Sequence, residues 1–202
     1  MSPDVIAVGE ILVDFVASEP LSYEEVTHFE RCFGGAPMNT IVGVSRLGVS
    51  GGVITAVGDD PFGRFLTSEL VRNGVDVSHV AVKRNRRTTI TFVANDPVTG
   101  ERSFLFYRKP WTGDTADSLL EVKDVDESYV SGARILHVSG FALSQNPSRE
   151  AVFRAMSHAR KAGVWVSFDP TLRLDVWDSL KVLRRTYDRA LKSSDIATFS
   201  AE

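Results

Sequence analysis

From residue 37 onward, strand-like and helix-like segments alternate, and this alternation constrains the fold more than any other feature of the chain. Pro37 to Leu47 predicts a helix with Ile41, Val44, Ser45 and Gly48 along one face and Gly48 as its stop. Gly52 to Gly58 is an apolar strand, and Asp60-Pro61 opens a helix that reaches about Asn73-Gly74. Asp caps the helix and Pro follows in the first turn, where its missing N–H costs nothing. Ile135 to Gly140, Val164 to Asp169 and Asp195 to Phe199 read as strands; Ser148 to Ala162 (stopped by Gly163) and Asp178 to Leu191 read as helices. Residues 117–130 look helical and acidic. Such alternation predicts an α/β fold, a mostly parallel sheet flanked by helices.

Two segments interrupt the pattern. After a buried strand at Val5 to Glu10, Ile11 to Ala17 continues as an extended piece, and residues 18–33 read as peripheral. Thr88 to Ala94 and Arg102 to Tyr107, joined through Asp96-Pro97-Val98-Thr99-Gly100, predict a hairpin. Together, about 11–33 and 88–110, they predict a small second β sheet over one end of the main one. With no repeat, linker or low-complexity stretch, residues 1–202 read as a single domain with an appendage.

Composition closes off other classes. Apolar residues make up 43%, charged residues 24%, and the net charge is -3, with a pI near 5.8. These are ordinary globular values. No basic face suggests nucleic acid or a membrane surface, and the cluster Lys83-Arg84-Asn85-Arg86-Arg87 reads as a solvated turn between strands. The one cysteine, Cys32, has no partner for a disulfide or a metal site. Met1-Ser2-Pro3-Asp4 lacks the basic start of a secretion signal, and no apolar run approaches a membrane span. The expectation is a cytoplasmic protein.

In open α/β sheets ligands bind beyond the carboxyl ends of the strands. Residues there include Asp14, Gly34-Gly35, Gly58-Asp59-Asp60, Ser139-Gly140, and Asp169 with Arg173. Gly34-Gly35-Ala36-Pro37-Met38-Asn39 is the most informative stretch: two glycines admit a close ligand, Pro37 can open a helix, and Asn39 offers a donor and an acceptor. That set suits a polyhydroxylated ligand, although on local chemistry alone a plain tight turn explains it better.

The wider order of motifs outweighs that local reading. Gly34 to Asn39, Ser45-Arg46-Leu47-Gly48, Val57-Gly58-Asp59-Asp60-Pro61-Phe62-Gly63 and Gly74-Val75-Asp76 together resemble the N-terminal signature of the phosphofructokinase-B (ribokinase-like) sugar kinases. The resemblance extends through Glu10 with Asp14, Arg87-Thr88, Phe106-Tyr107-Arg108 and Phe168 to Arg173, over essentially the whole chain. It implies a ribokinase-like fold with a small β lid over a sugar site, and ATP with Mg2+ as co-substrate. It also implies that Asp14 accepts hydrogen bonds from sugar hydroxyls and that Gly34, Gly35 and Asn39 form the sugar-binding turn. Asp59 and Asp60 match a structural position, Asp60 as a helix cap. Arg108 and Arg173 match arginines that reach the sugar in the fructokinase and 2-keto-3-deoxygluconate kinase branches; for Arg108 a solvated lid arginine is the competing reading. Thr171 stands where the family usually has Asn, and Trp111-Thr112-Gly113-Asp114 has no counterpart in the signature.

The family's catalytic turn, Gly-Ala-Gly-Asp, supplies an anion hole and a base, and does not occur in these 202 residues; nor does a Walker-type loop. The expectation is therefore a chain truncated at the C-terminus, its base beyond residue 202 and Ser200-Ala201-Glu202 near an acidic motif linked to magnesium. The implied activity is ATP-dependent phosphorylation of a small-molecule sugar or sugar acid, of fructose or 2-keto-3-deoxygluconate type, by a parent of which this is an inactive N-terminal fragment. The implied partners are that sugar, no nucleic acid and no membrane, with a homodimer through the lid left open. The alternative is a non-catalytic sugar-binding or assembly protein of the same fold. Two arginines suit a sugar acid, but fructokinases keep matching arginines, so the sugar stays open. A dinucleotide-binding oxidoreductase fails because no G-x-G-x-x-G follows the first strand.

Overall fold

A computed structural model of the chain describes residues 2–96 and 98–199. Pro97, in the expected hairpin loop, and Ser200-Ala201-Glu202, tied above to an acidic motif, lie outside the described residues. The strands are β1 (Val5–Val8), β2 (Leu12–Ala17), β3 (Phe29–Gly34), β4 (Gly51–Gly58), β5 (Asp76–Lys83), β6 (Thr89–Asn95), β7 (Arg102–Tyr107), β8 (Ile135–Ser139), β9 (Trp165–Asp169) and β10 (Ile196–Ala197). The helices are α1 (Ala36–Arg46), α2 (Pro61–Arg72), α3 (Glu127–Ser131), α4 (Ser148–Ala162) and α5 (Leu180–Lys192).

Six strands form a parallel sheet in the order β10-β9-β8-β1-β4-β5. The central strand β1 reads Val-Ile-Ala-Val and is buried throughout, as a parallel strand covered on both faces must be. Its side chains alternate: Val5 and Ala7 join Val53 and Val57 of β4 under Met38 and Ile41 of α1 and Leu66 and Leu70 of α2. Ile6 and Val8 point the other way, into a core with Leu136, Val138, Val166 and Phe168 that α4 and α5 close with Val152, Met156 and Leu183. Among the described residues no helix is long and apolar enough to cross a membrane.

The second sheet has the order β3-β2-β6-β7. Its outer pairs are antiparallel, while β2 and β6 run parallel, with Asp14 beside Thr91. Asp60 caps α2 through Gly63 N–H at 2.8 Å. The same carboxylate accepts from the N–H and hydroxyl of Thr88, each at 2.8 Å, and so ties α2 to the start of β6. Burial alone would raise its pKa; these donors outweigh it and hold it low.

Four sequence expectations need correction. Residues 18–33 are more than peripheral chain, since Phe29–Gly34 is an edge strand of the second sheet. Lys83, read as part of a solvated turn, instead ends the edge strand β5 and is paired with Asp124 and Glu121. The 117–130 segment is two single 3-10 turns, Asp117–Leu119 and Val122–Asp124, and then the five-residue α3. Asp117 turns inward to the hydroxyls of Thr89 and Thr115 instead of supporting a helix. On α1 the buried residues are Pro37, Met38 and Ile41; Val44 is half-buried and Gly48 sits exposed in the following turn at φ 86°.

Candidate functional site

The carboxyl ends of β1, β8 and β9 meet the start of α1 at one side of the main sheet, and the second sheet closes over them. Asp14 lies in β2, in a lateral row with Cys32, Thr91 and Phe106. The same row touches the main body, because the Phe106 ring lies 5.0 Å from that of Phe141, just past β8. Burial pushes the Asp14 carboxyl up to about 6, opposed only by the charge of Arg102. Among the described residues no hydrogen bond stabilises the carboxylate, which leaves its acceptors for a ligand.

Gly34 and Gly35 are required by what surrounds them. A Cβ on Gly34 would run into the Asp14 carboxylate and lie 2.7 Å from Leu12 Cδ1, so any side chain there displaces Asp14. Gly35, at φ 110°, caps α1, and a Cβ on it would lie 2.6 Å from the Glu10 carbonyl oxygen. Asn39 is exposed in the first turn of α1, its N–H donating to the Gly35 carbonyl at 2.9 Å. Ala36 lines a crevice of about 670 Å³ with Asp169, Pro170, Thr171, Leu172, Arg173, Tyr187, Thr198 and Phe199.

Arg173 and Arg108 stand on the same seam. The Arg173 guanidinium lies 4.5 Å from the centroid of Phe104, whose ring is parallel to that of Phe106 at 5.8 Å. Phe106 contacts Phe141, and the Arg108 guanidinium lies 4.5 Å over Phe141. Arg108 is 0% exposed, which overturns its reading as a solvated lid arginine. Its Nη1 lies 3.3 Å from Asp117 Oδ2, an ion pair with both members buried. Its partners are one aromatic face, Phe141, and the Asp117 carboxylate, while none of its three guanidinium nitrogens has a hydrogen bond among the described residues.

The sequence reading missed Thr91. It is buried, its hydroxyl has no hydrogen-bond partner among the described residues, and it stands beside Asp14. The alternation Thr89, Thr91, Val93 in β6 marks one face, but only the parallel pairing with β2 shows which face. Thr171 is a second local anomaly. It adopts φ 38°, in the left-handed region that β-branched residues avoid, and its hydroxyl is buried without a partner among the described residues. Asn tolerates that conformation, so Thr171→Asn should stabilise the chain by roughly 1 kcal/mol and raise the melting temperature by about 2–4 °C. A melt unchanged or lowered would show that Thr171 carries no strain.

A second groove, about 750 Å³, lies at the opposite edge around Ala81 to Arg86. Its acidic side chains are taken up by Lys83, which lies 2.6 Å from Asp124 and 3.1 Å from Glu121. None of the strand-end residues discussed above lines it.

A parallel sheet with a second sheet set over a crevice at its carboxyl ends is the arrangement of a ligand-binding α/β protein. The pfkB family carbohydrate kinase description matches residues 2–202, and the chain belongs to that family. It is 39% identical over 199 residues to a probable fructokinase-7 of Arabidopsis thaliana, covering 98% of this chain and 57% of the relative. It is 38% identical over 196 residues to a 5-dehydro-2-deoxygluconokinase of Geobacillus kaustophilus, covering 96% and 57%. Among solved structures, an uncharacterised sugar kinase from Pyrococcus horikoshii in complex with ATP superimposes with a TM-score of 0.88 at 34% identity, covering 96% of this chain and 62% of that one. The fructokinase from Xylella fastidiosa gives 0.85 at 32%, covering 96% and 59%. The chain thus spans roughly three fifths of the length of the relatives it matches.

Proposed function

We propose that this chain forms the sugar-binding part of an ATP-dependent kinase that transfers the γ-phosphate to a hydroxyl of a small sugar or sugar acid, of fructose or 2-keto-3-deoxygluconate type. The observation that carries the reading is Asp14: a carboxyl with no hydrogen bond among the described residues, seated against Gly34, which leaves it room, beside the turn that starts α1. In this reading Asp14 accepts from sugar hydroxyls, Gly34 and Gly35 let the sugar approach the backbone, and Asn39 supplies a donor and an acceptor. Arg173 lies at the crevice wall, and Arg108 shapes the seam behind it. The names of the relatives, fructokinase and 5-dehydro-2-deoxygluconokinase, support a ketose or a sugar acid. The second sheet is the lid of one domain. A homodimer through that lid belongs to the proposal, its edge strands β3 and β7 each having one partner in the sheet. So does a cytoplasmic location, supported by the single cysteine.

The proposed co-substrate is ATP with magnesium; the family and the ATP complex of the Pyrococcus relative support ATP, and magnesium rests on the resemblance alone. The residues described here do not by themselves make either site. No Gly-Ala-Gly-Asp turn occurs in the 202 residues, and among the described residues no three His, Cys, Asp or Glu side chains gather as metal ligands. A non-catalytic sugar-binding role would use the same residues.

The 202-residue chain should bind fructose or 2-keto-3-deoxygluconate in a calorimetric titration and produce no ADP when ATP and magnesium are added. An intact sugar site does not replace a missing base and anion hole, because such groups act as a unit. Sugar-dependent ADP release by the purified chain would contradict the assignment of chemistry to other residues; failure to bind either sugar would contradict the site.

A further inference from the structure

We propose that Glu10 is a positioning residue for this crevice, its carboxyl clamping the Gly34-Gly35 turn to the carboxyl end of β8. The inference rests on reading the crevice as a sugar site. Glu10 stands two residues past β1 and is 2% exposed. Gly9 before it adopts φ 152°, and the Thr55 hydroxyl donates to the Gly9 carbonyl at 2.7 Å, so the backbone is fixed as it delivers Glu10 inward.

Two chain segments converge on this one residue, the Gly35-Ala36 turn and the end of β8. The Ala36 N–H, at the start of α1, donates to Glu10 Oε1 at 3.2 Å. Helix-starting N–H groups lack partners within the helix, so this bond has no internal substitute. The Ser139 hydroxyl, at the end of β8, donates to Glu10 Oε2. The Glu10 carbonyl meanwhile abuts Gly35 closely enough to exclude a Cβ. Backbone and side chain of a single residue thus set the height of the turn that seats Asp14 and starts the helix carrying Asn39.

A buried acid is an expensive choice for mere packing. Burial pushes the carboxyl up to about 7, against the Ser139 hydroxyl, a backbone N–H and the charge of Arg108 beyond β7; Asp117 from its 3-10 turn acts in the same direction as burial. From α5, the Tyr187 hydroxyl also feels the Glu10 charge. The ionised form offers acceptors on both oxygens and holds the turn best, so sugar affinity should rise as pH passes through about 7. Asp14 contributes a separate rise near 6.

The test compares wild type with Glu10→Gln, Glu10→Leu and Ser139→Ala in the full chain, reading hydrogen exchange of the Ala36 amide and affinity for fructose and 2-keto-3-deoxygluconate from pH 5 to 8. In Glu10→Leu, Ala36 exchange should accelerate and sugar affinity fall, each by about tenfold or more. Glu10→Gln keeps an oxygen for Ala36 and a donor for Ser139. It should stay within about threefold of wild type at pH 6 and lose the step near 7 while keeping that of Asp14. Ser139→Ala should show an intermediate loss. If Glu10→Leu does not fold, the pH step in Glu10→Gln and the Ser139→Ala loss decide the matter. Sugar binding by wild type with unchanged affinity and unchanged Ala36 exchange in the folded variants would overturn the proposal. A wild-type chain that binds neither sugar would remove the sugar-site reading and with it the positioning role, leaving Ala36 exchange to report on the clamp alone.

Discussion

Asp117→Ala should destabilise the chain by about 3–5 kcal/mol, the cost of removing one partner from a buried ion pair. Arg108 and Asp117 are 0% and 1% exposed at their side chains, so solvent cannot take over for the lost carboxylate. The substitution also strips the acceptor from the hydroxyls of Thr89 and Thr115, both buried. Since domains of this size are stable by only about 5–15 kcal/mol, the urea midpoint should fall by a large fraction or cooperative unfolding should be lost. The double variant Arg108→Leu with Asp117→Leu should recover much of the loss, because an apolar pair leaves no charge behind in the interior. A loss below about 1 kcal/mol for Asp117→Ala would mean that water or another group reaches Arg108, and the seam would not be the closed structure described.

Most of the main sheet was legible because its strands are buried on both faces and its helices carry strong punctuation. Val5-Ile6-Ala7-Val8 has no other plausible home than a sheet centre, and Asp60-Pro61 and Gly163 mark helix ends by backbone chemistry. The edges were not legible. β3, Phe-Glu-Arg-Cys-Phe-Gly, carries exposed charges because one side of an edge strand is solvated, and β5 has a similarly mixed pattern. Asp14, Gly34, Gly35 and Asn39, the proposed sugar-binding set, were named from motif order; Thr91 was not, since its place beside Asp14 depends on a parallel pairing between segments far apart in the chain. Arg108 was named from motif order, but its burial was not legible: arginine and aspartate are usually exposed, and nothing in Arg108 or Asp117 as letters announces that each buries the other.

The assignment of Asp14 to ligand binding makes function and stability move in opposite directions. Burial raises its pKa from 3.8 to about 6, so the folded chain prefers the protonated acid. Its contribution to stability is complete below about pH 4 and is lost as pH rises through 6. At pH 8 the ionised group therefore costs up to about 3 kcal/mol, taking 1.36 kcal/mol per pKa unit. Asp14→Asn removes that cost and should melt higher than wild type at pH 8, with the difference vanishing near pH 4. Losing a charged hydrogen-bond partner costs a ligand about 1.5–3 kcal/mol, so the same variant should bind sugar roughly ten- to over a hundredfold more weakly.

The most direct test is a calorimetric titration of fructose and of 2-keto-3-deoxygluconate into wild type and Asp14→Asn at pH 8, with a thermal melt of each sample. The predicted result is binding by wild type to at least one sugar, at least a tenfold loss in Asp14→Asn, and a melting temperature for the variant at or above that of wild type. Equal affinities, with a lowered melting temperature for Asp14→Asn, would contradict the account, because Asp14 would then be a structural residue of β2 and not a sugar ligand.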